Sequence, residues 1–222
     1  MSVMKRRALA AIVLALSVVT SLAVAAPPAS AFPKGDSVFG FNYRVVATAH
    51  IKKQDLTMSP PPGIFKGAID LDTGQLKGKI TIPPATFTQA IGGPLGVTAT
   101  AAMESVKPVT GHVDLNTFKV TSTSVVNIHI LTMYPNVAAP PLPLPIPIST
   151  PPLPQVNLVG NNCKTSTPVS ITISGVAHIG QKSKFSGTFS IPDFANCQAM
   201  TTVLNQEIPG PGNTFSAVAS PL

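Results

Sequence analysis

Phe39-Gly40-Phe41-Asn42-Tyr43-Arg44-Val45-Val46-Ala47-Thr48-Ala49-His50-Ile51 is the stretch that decides the fold class. Its odd positions (Phe39, Phe41, Tyr43, Val45, Ala47, Ala49, Ile51) are apolar or aromatic, and Asn42, Arg44, Thr48 and His50 hold even positions. A period of two sends these sets to opposite faces of an extended strand, one for a core and one for water. A helix would need apolar residues three and four apart, which would mix the two sets. A long half-buried strand is expected.

The same period recurs downstream. Phe65, Ile69 and Leu71 oppose Lys66 and Asp70, and Leu76, Ile80 and Ile82 oppose Lys77, Lys79 and Thr81. Asp72-Thr73-Gly74 between the runs is turn chemistry, so they are expected to pair as a hairpin. Residues 95–103 read as a weaker strand. Val109, Val113 and Leu115 then lead through Asn116-Thr117 into Phe118, Val120, Val126, Ile128 and Ile130, a second hairpin. Residues 67–73 align with 111–117, and 78–83 with 187–192, which reads as similar hairpin units reused in one sheet system.

Further apolar sets at Val169, Ile171 and Ile173, at Phe185, Phe189 and Ile191, and at Phe215, Ala217 and Ala219 extend the pattern. Residues 196–207 are the one helix expected, with Asp193 near the start and Pro209-Gly210 at the end. Met200, Val203 and Leu204 would face the sheets. The fold class is therefore mainly β: nine to eleven strands in a single antiparallel β-sandwich or flattened barrel, with one short helix near the C-terminus.

Residues 1–31 read as a signal peptide. Lys5, Arg6 and Arg7 precede an apolar run over 8–26, and Ala29-Ser30-Ala31 offers a cleavage site before Phe32. The Ala and Ser content of the run and Pro27-Pro28 after it fit a cleaved leader better than a retained anchor. Without a lipid-bearing Cys after the cleavage point, release to the extracellular space or cell envelope is expected. The domain then spans 32–222, with no transmembrane segment left after cleavage. The leader takes three of the 15 Lys and Arg, leaving 12 against 8 Asp and Glu, a net of +4 rather than +7. These cations read as single residues apart from Lys52-Lys53 and are not interleaved with aromatics. No nucleic-acid surface is expected, and mild attraction to an acidic envelope surface is.

Cys163 and Cys197 are the only cysteines. An oxidising compartment makes a disulfide between them the expected state. Neither has a His at ligand spacing and no CxxC occurs, so no metal site is expected.

Chemistry-bearing residues are sparse. His50, His112, His129 and His178 all fall on polar strand faces and read as solvated residues. His112 and Asp114 share a face, which would be a weak half-site for a metal or a hydrolase of unfamiliar geometry. Asp70, Asp72 and Asp114 sit at hairpin ends, where an Asp closes a turn through its own side chain. No nucleophile elbow, phosphate loop, HExxH or EF-hand loop is present. No catalytic residue and no cofactor are nominated, and the chain is read as non-enzymatic.

Residues 135–154 break the pattern with nine prolines. Alternation of Pro with Leu and Ile suits an edge strand, aliphatics inward and Pro outward, where no ladder donor is needed. Pro143, Leu144, Pro145 and Ile146 are also its candidate surface for a partner.

Val159-Gly160-Asn161-Asn162-Cys163, Phe194-Ala195-Asn196-Cys197 and Pro209-Gly210-Pro211-Gly212-Asn213-Thr214 form the most distinctive series. It resembles a group of secreted actinobacterial β-rich proteins of unassigned function. The resemblance covers most of the chain after residue 31. It implies an exported β-domain with its two cysteines paired, and carries over no catalytic residue.

Two functions are expected from these readings. The first is an envelope or extracellular protein acting through surface binding, with cell-envelope components as partners. The alternative is a carrier of a lipid or other apolar ligand inside the β-structure, motivated by small residues (Ala47, Ala49, Gly78, Gly111, Gly187) that could leave a cavity.

Overall fold

The alternation of 39–51 becomes a 14-residue strand, β1 (Val38–Ile51), whose odd residues turn inward and whose even residues turn out. A computed structural model describes residues 37–92, 95–137, 156–178 and 180–222. The leader over 1–31, Phe32, Gly93-Pro94 and most of the proline-rich segment, including Pro143, Leu144, Pro145 and Ile146, lie outside the described residues.

After a 3-10 turn at Lys52–Gln54, β2 (Leu56–Met58) folds back on β1. β3 (Gly63–Asp70) and β4 (Gln75–Thr81) form the first expected hairpin, with Gly67 opposite Gly78. β5 (Ala85–Gly92), β6 (Leu95–Val113) and β7 (Lys119–Val137) follow. Then come β8 (Lys164–Thr165), β9 (Val169–Val176), β10 (Ser183–Ile191) and β11 (Phe194–Ala195). A 3-10 turn at Gln198–Met200 runs into α1 (Thr201–Glu207), and β12 (Gly210–Pro221) ends the chain.

Eight of these strands close on themselves. β1 pairs with β3, β3 with β4, β4 with β6, β6 with β7, β7 with β9, β9 with β10 and β10 with β12. β12 then pairs back with β1, from Tyr43 opposite Pro221 to His50 opposite Thr214. Every pairing is antiparallel between strands that follow one another around the ring, an up-and-down barrel. The ring of hydrogen bonds selects the barrel from the two architectures the sequence allowed. One end holds the short turns after β3, β6 and β9. The other holds β2, β5, α1 and the disulfide.

Apolar side chains fill the inside in two layers. Leu76, Val113 and Val120, with Phe41, Phe65, Ile69, Leu115 and Phe185, form the layer at the turn end. Val45, Ala47, Val126, Val169, Phe189 and Phe215 are among those of the second, and Phe65 touches both. The outer wall is hydroxylated. Thr110, Thr123, Thr172, Thr188 and Thr214 stand opposite one another across five successive strands, ending beside His50. A lipid-facing barrel would carry its apolar band on that side. The Ser124 hydroxyl, on the inward side of β7, is a buried polar atom without a hydrogen-bond partner.

Two segments read separately, 95–103 and 109–113, are one 19-residue strand, β6. Its register against β7 shifts between Ser105 and Lys107 and again between Lys107 and Thr110, so the bend is made by bulges around Pro108. The far half of β6 pairs with β4 and the near half with β5. β5, near β6 and the end of β7 thus project as a three-stranded extension. Its inner face (Phe87, Val97, Ala99, Met133) joins the core. Thr86, Thr88, Thr98, Thr100, Thr132 and Tyr134 alternate with that face.

The two aligned hairpin units end in equivalent turns. Asp70 Oδ1 accepts the N–H groups of Asp72 and Thr73 at 2.9 and 3.1 Å, and Asp114 Oδ1 those of Asn116 and Thr117 at 2.8 and 3.2 Å. The fifth residue is left-handed in both: Gly74 at φ 71° and Phe118 at φ 55°. Leu71, expected inward, lies in the first turn. The turn amides favour the charged carboxylates and hold both aspartates below their ordinary value. A depressed folded-state value contributes stability above the ordinary aspartate range, and that contribution is lost as pH falls through the folded value. Thermal unfolding from neutral pH down to about pH 2 should therefore show an acid loss below about pH 4. Asp70→Asn/Asp114→Asn keeps the turn acceptors and should show a shallower loss; an unchanged slope would contradict the assignment.

Candidate functional site

Cys163 and Cys197 are bonded, with Cα atoms 4.3 Å apart, and both are fully buried. The bridge ties the segment before β8 to the segment before α1 at the loop end of the barrel. Leu204 is the buried residue of α1 and Met200 packs on the core beside it. Val203, expected to face the sheets, is 44 % exposed. In a helix this short only one stripe faces inward, and successive residues are turned by about 100°.

Asparagine carboxamides finish the ladders at this end, which the sequence reading did not foresee. Asn157 accepts from Met133 N–H at 3.0 Å and donates to the Leu131 carbonyl at 3.2 Å, copying a paired strand residue beside β7. Asn205 does the same for β11, accepting from Phe194 N–H at 2.6 Å and donating to its carbonyl at 3.1 Å. Asn213, 1 % exposed, accepts from Lys52 N–H at 3.0 Å and donates to the Gly210 carbonyl at 2.9 Å. A lone Asn in sequence signals only a turn, so these roles had no local signal beyond the Asn213 of the distinctive series.

The histidines do not converge. His50 Nδ1 lies 3.3 Å from Thr57 Oγ1 and its Nε2 3.7 Å from Asp55. His129 departs from the solvated reading: its side chain is 16 % exposed, with Nδ1 2.8 Å from Glu104 and Nε2 3.1 Å from the Asn161 carbonyl. The disulfide-anchored segment folds over this part of the wall and covers it. His112 stands beside the first hairpin turn, opposite Gln75. The Asp114 carboxylate, two residues further on, accepts the amides of its own turn through Oδ1. Among the described residues no three His, Cys, Asp or Glu gather as a metal site.

The three glycines among the small residues are places of close approach. A Cβ on Gly78 would sit 2.6 Å from the Phe65 ring, and one on Gly111 would strike the Thr121 carbonyl and lie 2.7 Å from Ser122 Cβ. At Gly187 the Thr172 carbonyl occupies the place. Each of these glycines is where a neighbouring strand or ring comes close, and that approach is a sufficient reason for the missing side chain.

The outer wall of β1, β3 and β4 holds what the sequence showed only as separate cations. Strand register puts Lys66 directly opposite Lys79, with Asn42 on the other side of Lys66. Arg44 follows Asn42 by two residues and Lys77 precedes Lys79 by two, so all four cations share the outer face. Lys66, Lys79 and Arg44 are exposed. Asp70 is the one carboxylate on these three strands, and its Oδ1 is held by the turn amides. Directly opposite side chains have Cβ atoms about 5 Å apart, and like charges there are destabilising. Comparison with protein-family models, curated proteins and solved structures found no match for this barrel.

Proposed function

We propose that the chain is a secreted, non-enzymatic envelope or extracellular β-protein that acts through surface binding, and that the cationic wall of β1, β3 and β4 is its binding surface. The fitting partner is an anionic polymer of the cell envelope. The observation that carries this reading is Lys66 facing Lys79 across a hairpin. Such a pair costs the isolated fold up to about 1 kcal/mol, and an anionic ligand bridging the two ammonium groups turns that cost into affinity. The export-type leader, the disulfide and the likeness to secreted β-rich proteins support the location. The use of Asp70 and Asp114 in turns, and the intramolecular partners of His50 and His129, support a non-enzymatic role.

Co-sedimentation with cell-wall sacculi, intact or stripped of their acidic polymers, tests the reading. Binding is expected to the intact wall only. It should fall steeply as salt rises, because the screening length shrinks from about 10 Å at 0.1 M to about 3 Å at 1 M. Lys66→Glu/Lys79→Glu should weaken it at least about tenfold, or about 1.4 kcal/mol. Equal binding by the double variant, or equal binding to stripped walls, would refute the assignment.

A further inference from the structure

We propose that the free edge of β5 pairs two copies of this chain about a two-fold axis through Phe87. Among the described residues β5 pairs only with β6, so the backbone groups along its other side face away from any strand. Natural proteins blunt such edges with charges, prolines or a cover. The edge at β11 is blunted, because Asn205 takes both the N–H and the carbonyl of Phe194. Among the described residues β5 has no comparable device. Its sequence, Ala85-Thr86-Phe87-Thr88-Gln89-Ala90-Ile91-Gly92, holds neither charge nor proline. No Asp, Glu, Lys or Arg occurs between Lys79 and Glu104, nor between Lys119 and Lys164.

A second copy fits this edge on two grounds. The first is charge: the chain is net cationic, and the extension is where two copies meet without opposing charges. The second is sequence symmetry. Antiparallel pairing centred on Phe87 places Thr86 opposite Thr88 of the other copy, and Thr88 opposite Thr86. The hydroxyl pairs this creates repeat those β5 already makes with β6, Thr86 to Thr100 at 2.9 Å and Thr88 to Thr98 at 3.1 Å. Ala85 then faces Gln89, and the two Phe87 residues meet on the inner face. The result is a continuous six-stranded sheet, a strand-addition interface. It shares no residue with the cationic wall and stands independently of the proposed function.

Sedimentation equilibrium of the purified chain over a range of concentrations provides the test. A dimer is expected for the unaltered chain. Thr86→Lys/Thr88→Lys sets cations against cations across the axis and should give a monomer, as should Thr86→Glu/Thr88→Glu. Both positions are exposed, so the fold is retained. An equimolar mixture of the two variants should recover the dimer, a result that misfolding of either could not produce. A monomer at every concentration of the unaltered chain would overturn the proposal; it is the result expected if the chain's own proline-rich segment occupies the edge. A dimer that survives either double substitution, or a mixture that stays monomeric, would overturn it as well.

Discussion

Gly187→Ala is expected to cost about 3 kcal/mol or more, or to stop the barrel from closing, although it adds a single methyl group. Gly187 lies inward on β10 between Phe185 and Phe189, opposite Phe215 of β12 and Ile173 of β9. An added Cβ would run into the carbonyl of Thr172, with that carbonyl's carbon 2.9 Å away and Ile173 Cα 3.1 Å away. All three atoms are backbone, so no rotamer change can make room. The two strands would have to separate and break ladder bonds on both sides of the site. Gly40→Ala is the control: its nearest neighbour would be the Gly67 carbonyl at 4.0 Å, an ordinary contact. Denaturant unfolding of both variants measures the difference. Equal stability of the two would mean that β9 and β10 do not approach as described.

Loss of the disulfide should have the second large effect. The bridge spans 34 residues, and closing a loop of that length in the unfolded chain stabilises the fold by about 3–4 kcal/mol. Cys163→Ser/Cys197→Ser also leaves two hydroxyls in a site without solvent access, so the measured loss should reach at least that range. The loss should be local before it is global. Segments 157–165 and 194–207 are held by the bridge, by Asn157 and by Asn205, whereas the ring is closed by its own ladders. Urea unfolding, with amide exchange of α1 as the second readout, should show α1 exchanging first. A cost below about 1 kcal/mol would contradict the placement of the bridge as the main tie of the loop end.

How much of this was legible follows from how local each signal is. The period of two in 39–51 sets which side of β1 faces the core, because alternation depends on neighbouring residues alone. Asp72-Thr73-Gly74 and Asn116-Thr117 set two turns for the same reason. Closure was not local: the pairing of Tyr43 with Pro221 joins the two ends of the domain, and a sandwich would show the same alternation. β5 escaped notice because Phe87 is its one large apolar residue before Ile91, too little for a pattern. The cationic wall is the clearest case of information held in register. Lys66 and Lys79 read as separate residues until the hairpin places them face to face. The asparagine caps were invisible because a lone Asn does not show which backbone groups it will meet, whether 11 residues away as for Asn205 or 161 as for Asn213 and Lys52. Gly78, Gly111 and Gly187 looked like spare volume when volume was judged residue by residue, although a neighbouring strand or ring comes close at each.

Backbone amide chemical shifts recorded while an anionic wall polymer is titrated into the protein test the central claim most directly. The account predicts that the largest changes fall at Asn42, Arg44, Lys66, Lys77 and Lys79, that they disappear at high salt, and that Lys66→Glu/Lys79→Glu abolishes them. Changes centred on inward residues such as Phe65, Ser124 and Val126, or no changes at all, would contradict it.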